Sequence, residues 1–155
     1  MKYFVFVTLL LSCTAVPVNA QMKQIPFAEL EERLDDRSVK RYFFEDKPYA
    51  GKATERYEYE QTTLEYHLEN GYIQKLFGWK FDGSKEREYA FKDGIPHGKL
   101  IAYYRNGQKY FEETYIDGLL HGKQYGWYRD GSLRLQTEFI NGVEIMRKEY
   151  PNPQE

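Results

Sequence analysis

Reactive side chains are scarce in this chain. Its 155 residues include one cysteine, Cys13, and three histidines, His67, His97 and His121. A lone thiol closes no intramolecular disulfide, so packing and hydrogen bonds must hold the fold. Two of the histidines share a repeat position and would have to lean together to meet one zinc, with no thiol or compact acidic cluster to complete the set. No nucleophile elbow, phosphate loop or zinc-protease helix occurs beyond residue 20. Carboxylates are numerous, but nothing in their order opposes two of them across a cleft, as glycosidase chemistry requires. No catalytic residue, cofactor or metal ligand is therefore assigned, and a non-enzymatic protein is expected. Charge of one sign is also missing: 22 Lys and Arg face 24 Asp and Glu. That balance argues against nucleic acid or an anionic membrane surface as the main ligand, since both call for a basic patch.

Long apolar runs are confined to the start. Lys2 precedes an apolar stretch from Tyr3 to Leu11, broken by Thr8, and Pro17 then leads into Val18-Asn19-Ala20. This is the pattern of an export signal cleaved between Ala20 and Gln21. The run is too short for a comfortable membrane span, and no other segment qualifies, so the mature chain is expected to have no transmembrane span. Leu10-Leu11-Ser12-Cys13 resembles a bacterial lipobox, with Cys13 as the lipidated residue, although its hydrophobic run is short. Cleavage after Ala20 fits better and leaves no cysteine at all. The expected location is periplasmic or secreted, with a lipoprotein anchor as the runner-up.

What the chain has in abundance is repetition. Asp93-Gly94, Asp117-Gly118 and Asn141-Gly142 lie 24 residues apart, and His97-Gly98-Lys99 recurs as His121-Gly122-Lys123. Between them, Tyr103-Tyr104-Arg105-Asn106-Gly107 recurs as Trp127-Tyr128-Arg129-Asp130-Gly131. A weaker copy runs from Asn70-Gly71 through Trp79-Lys80-Phe81-Asp82-Gly83. The first, from Lys47, is degenerate, with Gln61-Thr62-Thr63 at its turn. A fixed period of this length marks one supersecondary unit stacked on copies of itself.

Each unit reads as a β-hairpin. Asn106-Gly107 and Asp130-Gly131 have the chemistry of type I′ turns, and the connections at 93–98 and 117–122 look longer. Alternation supports strands: Phe77, Ile101 and Tyr125 share a face with Trp79, Tyr103 and Trp127, and Gly78, Ala102 and Gly126 form a small-residue column on the other. The slot of His67, Ala90, Thr114 and Glu138 tolerates any residue, as an exposed face does. Ahead of the repeats, apolar residues at 27, 30 and 34 after Pro26 predict a short amphipathic helix capping the first hairpin's edge. The expected organisation is a signal peptide at 1–20, a capping helix and lead-in strand at 21–46, a repeat domain at 47–150 and a disordered tail at 151–155. The fold class is all-β, an elongated single sheet of stacked antiparallel hairpins.

Written as Asp-Gly-x-x-His-Gly-Lys-x(4)-Tyr/Trp-Tyr-Arg-Asn/Asp-Gly, the unit resembles bacterial variants of the MORN repeat, which define the YwqK-like antitoxin family. The resemblance covers roughly residues 38–142 and is most specific in the two central copies. It implies a hairpin stack without an active site, which in some members neutralises a toxin by binding it. The expected activity is protein–protein interaction, with an antitoxin- or immunity-like role and a protein partner such as a toxin. Trp79, Tyr104, Trp127 and Tyr128 are the candidate contact residues, because Tyr and Trp dominate binding hot spots. The same residues could instead be core. The alternatives are a glycan or cell-wall binder with aromatic sugar platforms, or a structural envelope scaffold. The oligomeric state is not set by the sequence.

Overall fold

The computed structural model describes residues 23–154. The export signal, its Ala20–Gln21 cleavage site and Cys13 lie outside the described residues. Alternating sequence becomes strand nearly throughout: β1 (Gln24–Pro26), β2 (Glu31–Leu34), β3 (Lys40–Phe44), β4 (Lys47–Pro48), β5 (Gly51–Tyr57), β6 (Thr62–Glu69), β7 (Tyr72–Lys80), β8 (Lys85–Lys92), β9 (Ile95–Tyr103), β10 (Lys109–Ile116), β11 (Leu119–Leu120), β12 (Gly122–Trp127), β13 (Leu133–Ile140) and β14 (Val143–Glu149). The large sheet runs in order β1-β5-β6-β7-β8-β9-β10-β12-β13-β14, with β11 paired to β10. From β5 onward every partner is antiparallel and next in the chain, so the repeats form one continuous meander. Only β1 joins in parallel, against β5.

Two expectations about turns are reversed. The tight two-residue turns are Asn70-Gly71, Asp93-Gly94, Asp117-Gly118 and Asn141-Gly142, where both residues take positive φ, for example 49° at Asp93 and 78° at Gly94. That is the type I′ geometry, whose twist matches the flanking strands. At Asn106-Gly107 and Asp130-Gly131 only the glycine has positive φ. There the Asn or Asp side chain closes a longer loop by accepting a backbone N–H two residues on, Gln108 to Asn106 Oδ1 at 3.2 Å and Ser132 to Asp130 Oδ1 at 2.9 Å. These Asx turns use the dipeptide's side chain instead of its backbone.

The helix expected at 27–34 is absent. Phe27–Glu29 makes a single 3-10 turn, and Glu31–Leu34 is strand β2, paired with β3. Only three apolar positions supported the helix. Extended pairing satisfies the same backbone groups and lets Phe27 stack on Tyr66 at 4.1 Å and tilt against Tyr42 at 5.1 Å. Nor is there one sheet alone: β2, β3 and β4 form a second, three-stranded one. It packs with the 3-10 turn over β5–β7, enclosing Ile25, Tyr42, Tyr49, Ala53, Tyr66 and Leu68. Tyr49 anchors this junction, its hydroxyl 2.7 Å from the Lys23 carbonyl and 2.9 Å from that of Lys52. At the other end, residues 151–154 form a turn in which the Gln154 side chain donates to Asp130.

Beyond β7 no second layer is stacked on the sheet among the described residues, so burial comes from rows of side chains crossing it. The small column is covered this way. Gly78 and Ala102 flank Arg87, Ala102 and Gly126 flank Phe111, and Gly126 pairs with Leu135.

The small sheet's seat can be tested at one turn. A Cβ on Gly94 would lie 2.8 Å from Val39 Cγ1, whereas one on Gly83 meets nothing within 4 Å, and both residues have positive φ. Alanine at either should cost about 1–2 kcal/mol for the left-handed backbone. Gly94→Ala should lose roughly 1–3 kcal/mol more through overpacking. Equal losses in urea unfolding of the two variants would show that the small sheet does not rest on that turn.

Candidate functional surface

The two faces of the meander differ. One carries the small column and, over β5–β7, the N-terminal core. The other carries a ladder of large rings, and no second layer covers it among the described residues. Glu65, Phe77, Glu88, Ile101, Glu112, Tyr125 and Gln136 are successive cross-strand partners in a single row. Trp79, Tyr103 and Trp127 form the next row, paired with Lys85, Lys109 and Leu133. Rings and charges therefore alternate across the sheet at every second strand. Tyr125 and Trp127 stack at 5.8 Å, and Phe77 lies 6.1 Å from Trp79.

Lysines close over this ladder. Lys85 Nζ lies 5.4 Å from the Phe77 ring centre, 5.5 Å from Trp79 and 5.8 Å from Tyr103. Lys109 Nζ stands 5.7 Å from Trp127. Both positions suit a cation over a π-face. Lys85 also bonds Glu88 at 2.8 Å. Glu112, 8% exposed, is held between Lys99 at 2.6 Å and Lys109. Burial pushes the Glu112 carboxyl up, and the ammonium groups of Lys109 and Lys99 more than reverse that, leaving it below the ordinary 4.5. Glu65 follows the same logic with His67 and Lys52.

The four candidate contact residues separate into two pairs. Trp79 and Trp127 belong to the ladder and are half-buried. Tyr104 and Tyr128 instead tie units together: the Tyr104 hydroxyl donates to the Trp127 carbonyl at 2.8 Å and that of Tyr128 to the Tyr150 carbonyl at 2.9 Å. Their repeat position hides this role, because a column of tyrosines looks alike whether it grips a ligand or the next hairpin. His97 Nδ1 lies 3.2 Å from Asp117 Oδ1 in the following turn, while His121 Nδ1 is buried without a hydrogen-bond partner. Among the described residues no group of three His, Cys, Asp or Glu stands close enough to hold a metal, and no helix is long and apolar enough to cross a membrane.

The lysine and glutamate columns were missed in the sequence. Their signal is present at the same period, in Lys52, Lys75, Lys99 and Lys123 and in Glu65, Glu88 and Glu112. It is masked because the two signs nearly cancel along the chain. No protein-family model matches this chain, and no curated protein matches it.

Two substitutions probe these assignments. Tyr104→Phe removes an inter-unit hydrogen bond and should lower unfolding free energy by about 1 kcal/mol, with the tryptophan fluorescence of the folded state unchanged. A fluorescence change without loss of stability would put Tyr104 on the ladder instead. Glu112→Gln tests the ion cluster. The folded carboxyl titrates below its unfolded value, so its contribution is full above the unfolded pKa and is lost as pH falls through the folded one. The variant should be less stable than its parent at pH 7 and converge with it as pH drops below about 4. A gap that does not depend on pH would assign Glu112 to packing alone.

Proposed function

We propose that this protein is a non-enzymatic, exported interaction module that binds a protein partner across its aromatic–lysine face, in an antitoxin- or immunity-like role. The observation that carries the reading is the uncovered ladder. A sheet that, among the described residues, has one face without a second layer and lines it with half-buried Trp79, Tyr103, Tyr125 and Trp127 offers the large rings that supply hot spots at protein interfaces. Rings held by cross-strand neighbours lose little freedom on binding, which favours recognition by a rigid surface. The resemblance to MORN-type arrays supports the same reading, since stacked repeats commonly present extended binding surfaces. The export pattern at residues 1–20 supports a partner in the envelope or outside the cell, such as a toxin acting there.

Glycan binding is the second reading, favoured by the aromatic rows. Against it, Lys85 lies within 5.8 Å of three of the ladder's rings, where a sugar would have to stack.

The test is crosslinked affinity capture of the tagged full-length protein from its native envelope, with the mature N-terminus sequenced. A stoichiometric protein partner is expected, lost on Trp127→Ala in a variant that still unfolds cooperatively, together with Gln21 as the first residue. Retention of wall polysaccharide and no protein above background would overturn the reading. A lipidated Cys13 would replace the free form with an anchored one.

A further inference from the structure

Charge on the ladder face is arranged in lines. Lys52, Lys75, Lys99 and Lys123 stand on β5, β7, β9 and β12, each two strands from the next. Lys52, His67 and Lys75 are successive cross-strand partners, so the first step is two strand spacings, about 9.6 Å. The later steps cross the irregular pairing after Tyr89 and the place where β10 and β12 part. Between the lysines of this row lie His67, Ala90 and Thr114. The surface dips between some of them. A concavity of about 190 Å³ lies between Lys75 and Lys99, bordered by Phe77, Ala90 and Ile101, and a larger one of about 400 Å³ lies at His67. Lys52 is paired with Glu65 and Lys99 with Glu112, whereas Lys75 and Lys123 are exposed with no salt bridge among the described residues. At β13 the row ends in Glu138, the cross-strand partner of Lys123.

We infer that this row is the docking track for an extended acidic segment of the partner protein, with a carboxylate at every third residue. The inference rests on the protein-partner reading above and gives the partner's contact its chemistry. A polyproline II segment turns once in three residues and rises about 3.1 Å per residue, so its every-third side chains repeat at about 9.3 Å. That matches the regular step from Lys52 to Lys75 to within a few tenths of an ångström, and Lys99 and Lys123 continue the row on alternate strands. The intervening residues of such a segment would rest over the dips and against Phe77, Ile101 and Tyr125. A uniformly charged polymer fits less well, because Glu65, Glu88 and Glu112 form a parallel row of negative charge beside the track. Spaced carboxylates meet Lys75 and Lys123, which carry no salt bridge among the described residues, whereas a continuous polyanion also meets the glutamates held by Lys52 and Lys99. Glu138 gives the track a direction, calling for a basic residue at that end of the segment.

Both tryptophans of the chain lie on this face, so intrinsic fluorescence reports occupancy. The experiment titrates the full-length mature protein at low salt with a peptide of repeated Glu-Pro-Pro triplets. Its comparison is a peptide of the same composition whose glutamates are contiguous. The spaced peptide should bind at least about tenfold tighter than the contiguous one. Lys75→Glu with Lys123→Glu should weaken it by more than about tenfold, whereas Lys47→Glu with Arg129→Glu, the same change in charge placed off the track, should leave it within about twofold. Cooperative unfolding of each variant establishes that it is folded. Equal binding of the two peptides, no binding of either, or tighter binding of polygalacturonate or of phosphatidylglycerol vesicles would overturn the track. Capture from the envelope with the Lys75→Glu, Lys123→Glu variant keeps the two readings apart. A partner still retained overturns the track while the interaction module stands, and a partner absent even for the parent protein overturns the module itself.

Discussion

Everything in the repeat array depends on hydrogen bonding between neighbouring turns as well as neighbouring strands. The tight-turn glycine N–H of each unit donates to a carbonyl of the unit before it: Gly71 to Tyr49, Gly94 to Ile73, Gly118 to Pro96 and Gly142 to Leu120, at 2.7–3.2 Å. At the opposite ends of the strands the Phe81 N–H donates to the Gln61 carbonyl at 2.9 Å, and later in the array side chains donate as well, Tyr104 and Tyr128 to the following unit and Asn106 to the Arg129 carbonyl at 3.0 Å. Turns at both sides are thus stapled in register. A side chain two strands away is held almost as firmly as its immediate partner, and this gives the exposed face columns of fixed spacing. A single hairpin has neither staple and is marginal at best in water.

That constraint also explains why the first unit looks different. A stack needs a beginning, and here the chain supplies one by folding β2–β4 over the first hairpins. Lys47-Pro48 holds the same repeat position as Gly94-Ile95, yet it pairs with β3 in the small sheet. Tyr49 marks the crossing: its N–H donates to the Tyr42 carbonyl of β3, and its hydroxyl donates to the carbonyls of Lys23 and Lys52 on the large-sheet side. Among the described residues the opposite end has no such cover. Strand β14 leaves an open edge, blunted by Glu144, Arg147, Lys148 and Glu149, with Val143 and Ile145 exposed. Charged edges of this kind discourage continued pairing.

The period, the strands and the facing of Phe77, Ile101 and Tyr125 were legible because they depend only on local alternation. The turn types were not, since Asn-Gly and Asp-Gly can close a turn through the backbone or through the side chain. Which one forms depends on the length the neighbouring strands require. The helix expected at 27–34 failed for a similar reason. Three apolar residues at helical spacing are weak support, and Phe27 finds Tyr66 only in the folded whole. Gln124 shows the same limit from another direction. It breaks the column of Leu76 and Leu100, and its side chain takes the Thr114 N–H at 2.8 Å where β10 and β12 part. Nothing in the sequence distinguishes that role from a solvated glutamine.

Net charge does not describe the surface. A balance of 22 against 24 is uninformative about surfaces once strands sort alternate residues to opposite sides. Between β5 and β13 the ladder face carries Lys52, Lys75, Lys85, Lys99, Lys109 and Lys123 against Glu65, Glu88, Glu112 and Glu138, and Arg56 and Lys148 flank it. The excess is moderate, and each sign is segregated into its own line. Long-range attraction to any anion is therefore weak, screened within about 10 Å at ordinary salt. Selectivity must come from short-range register, from whether a ligand's charges fall on lysine lines or glutamate lines. A repeat protein is suited to that, because its spacing is set by hydrogen bonds between strands and between turns, not by the residues that face the ligand.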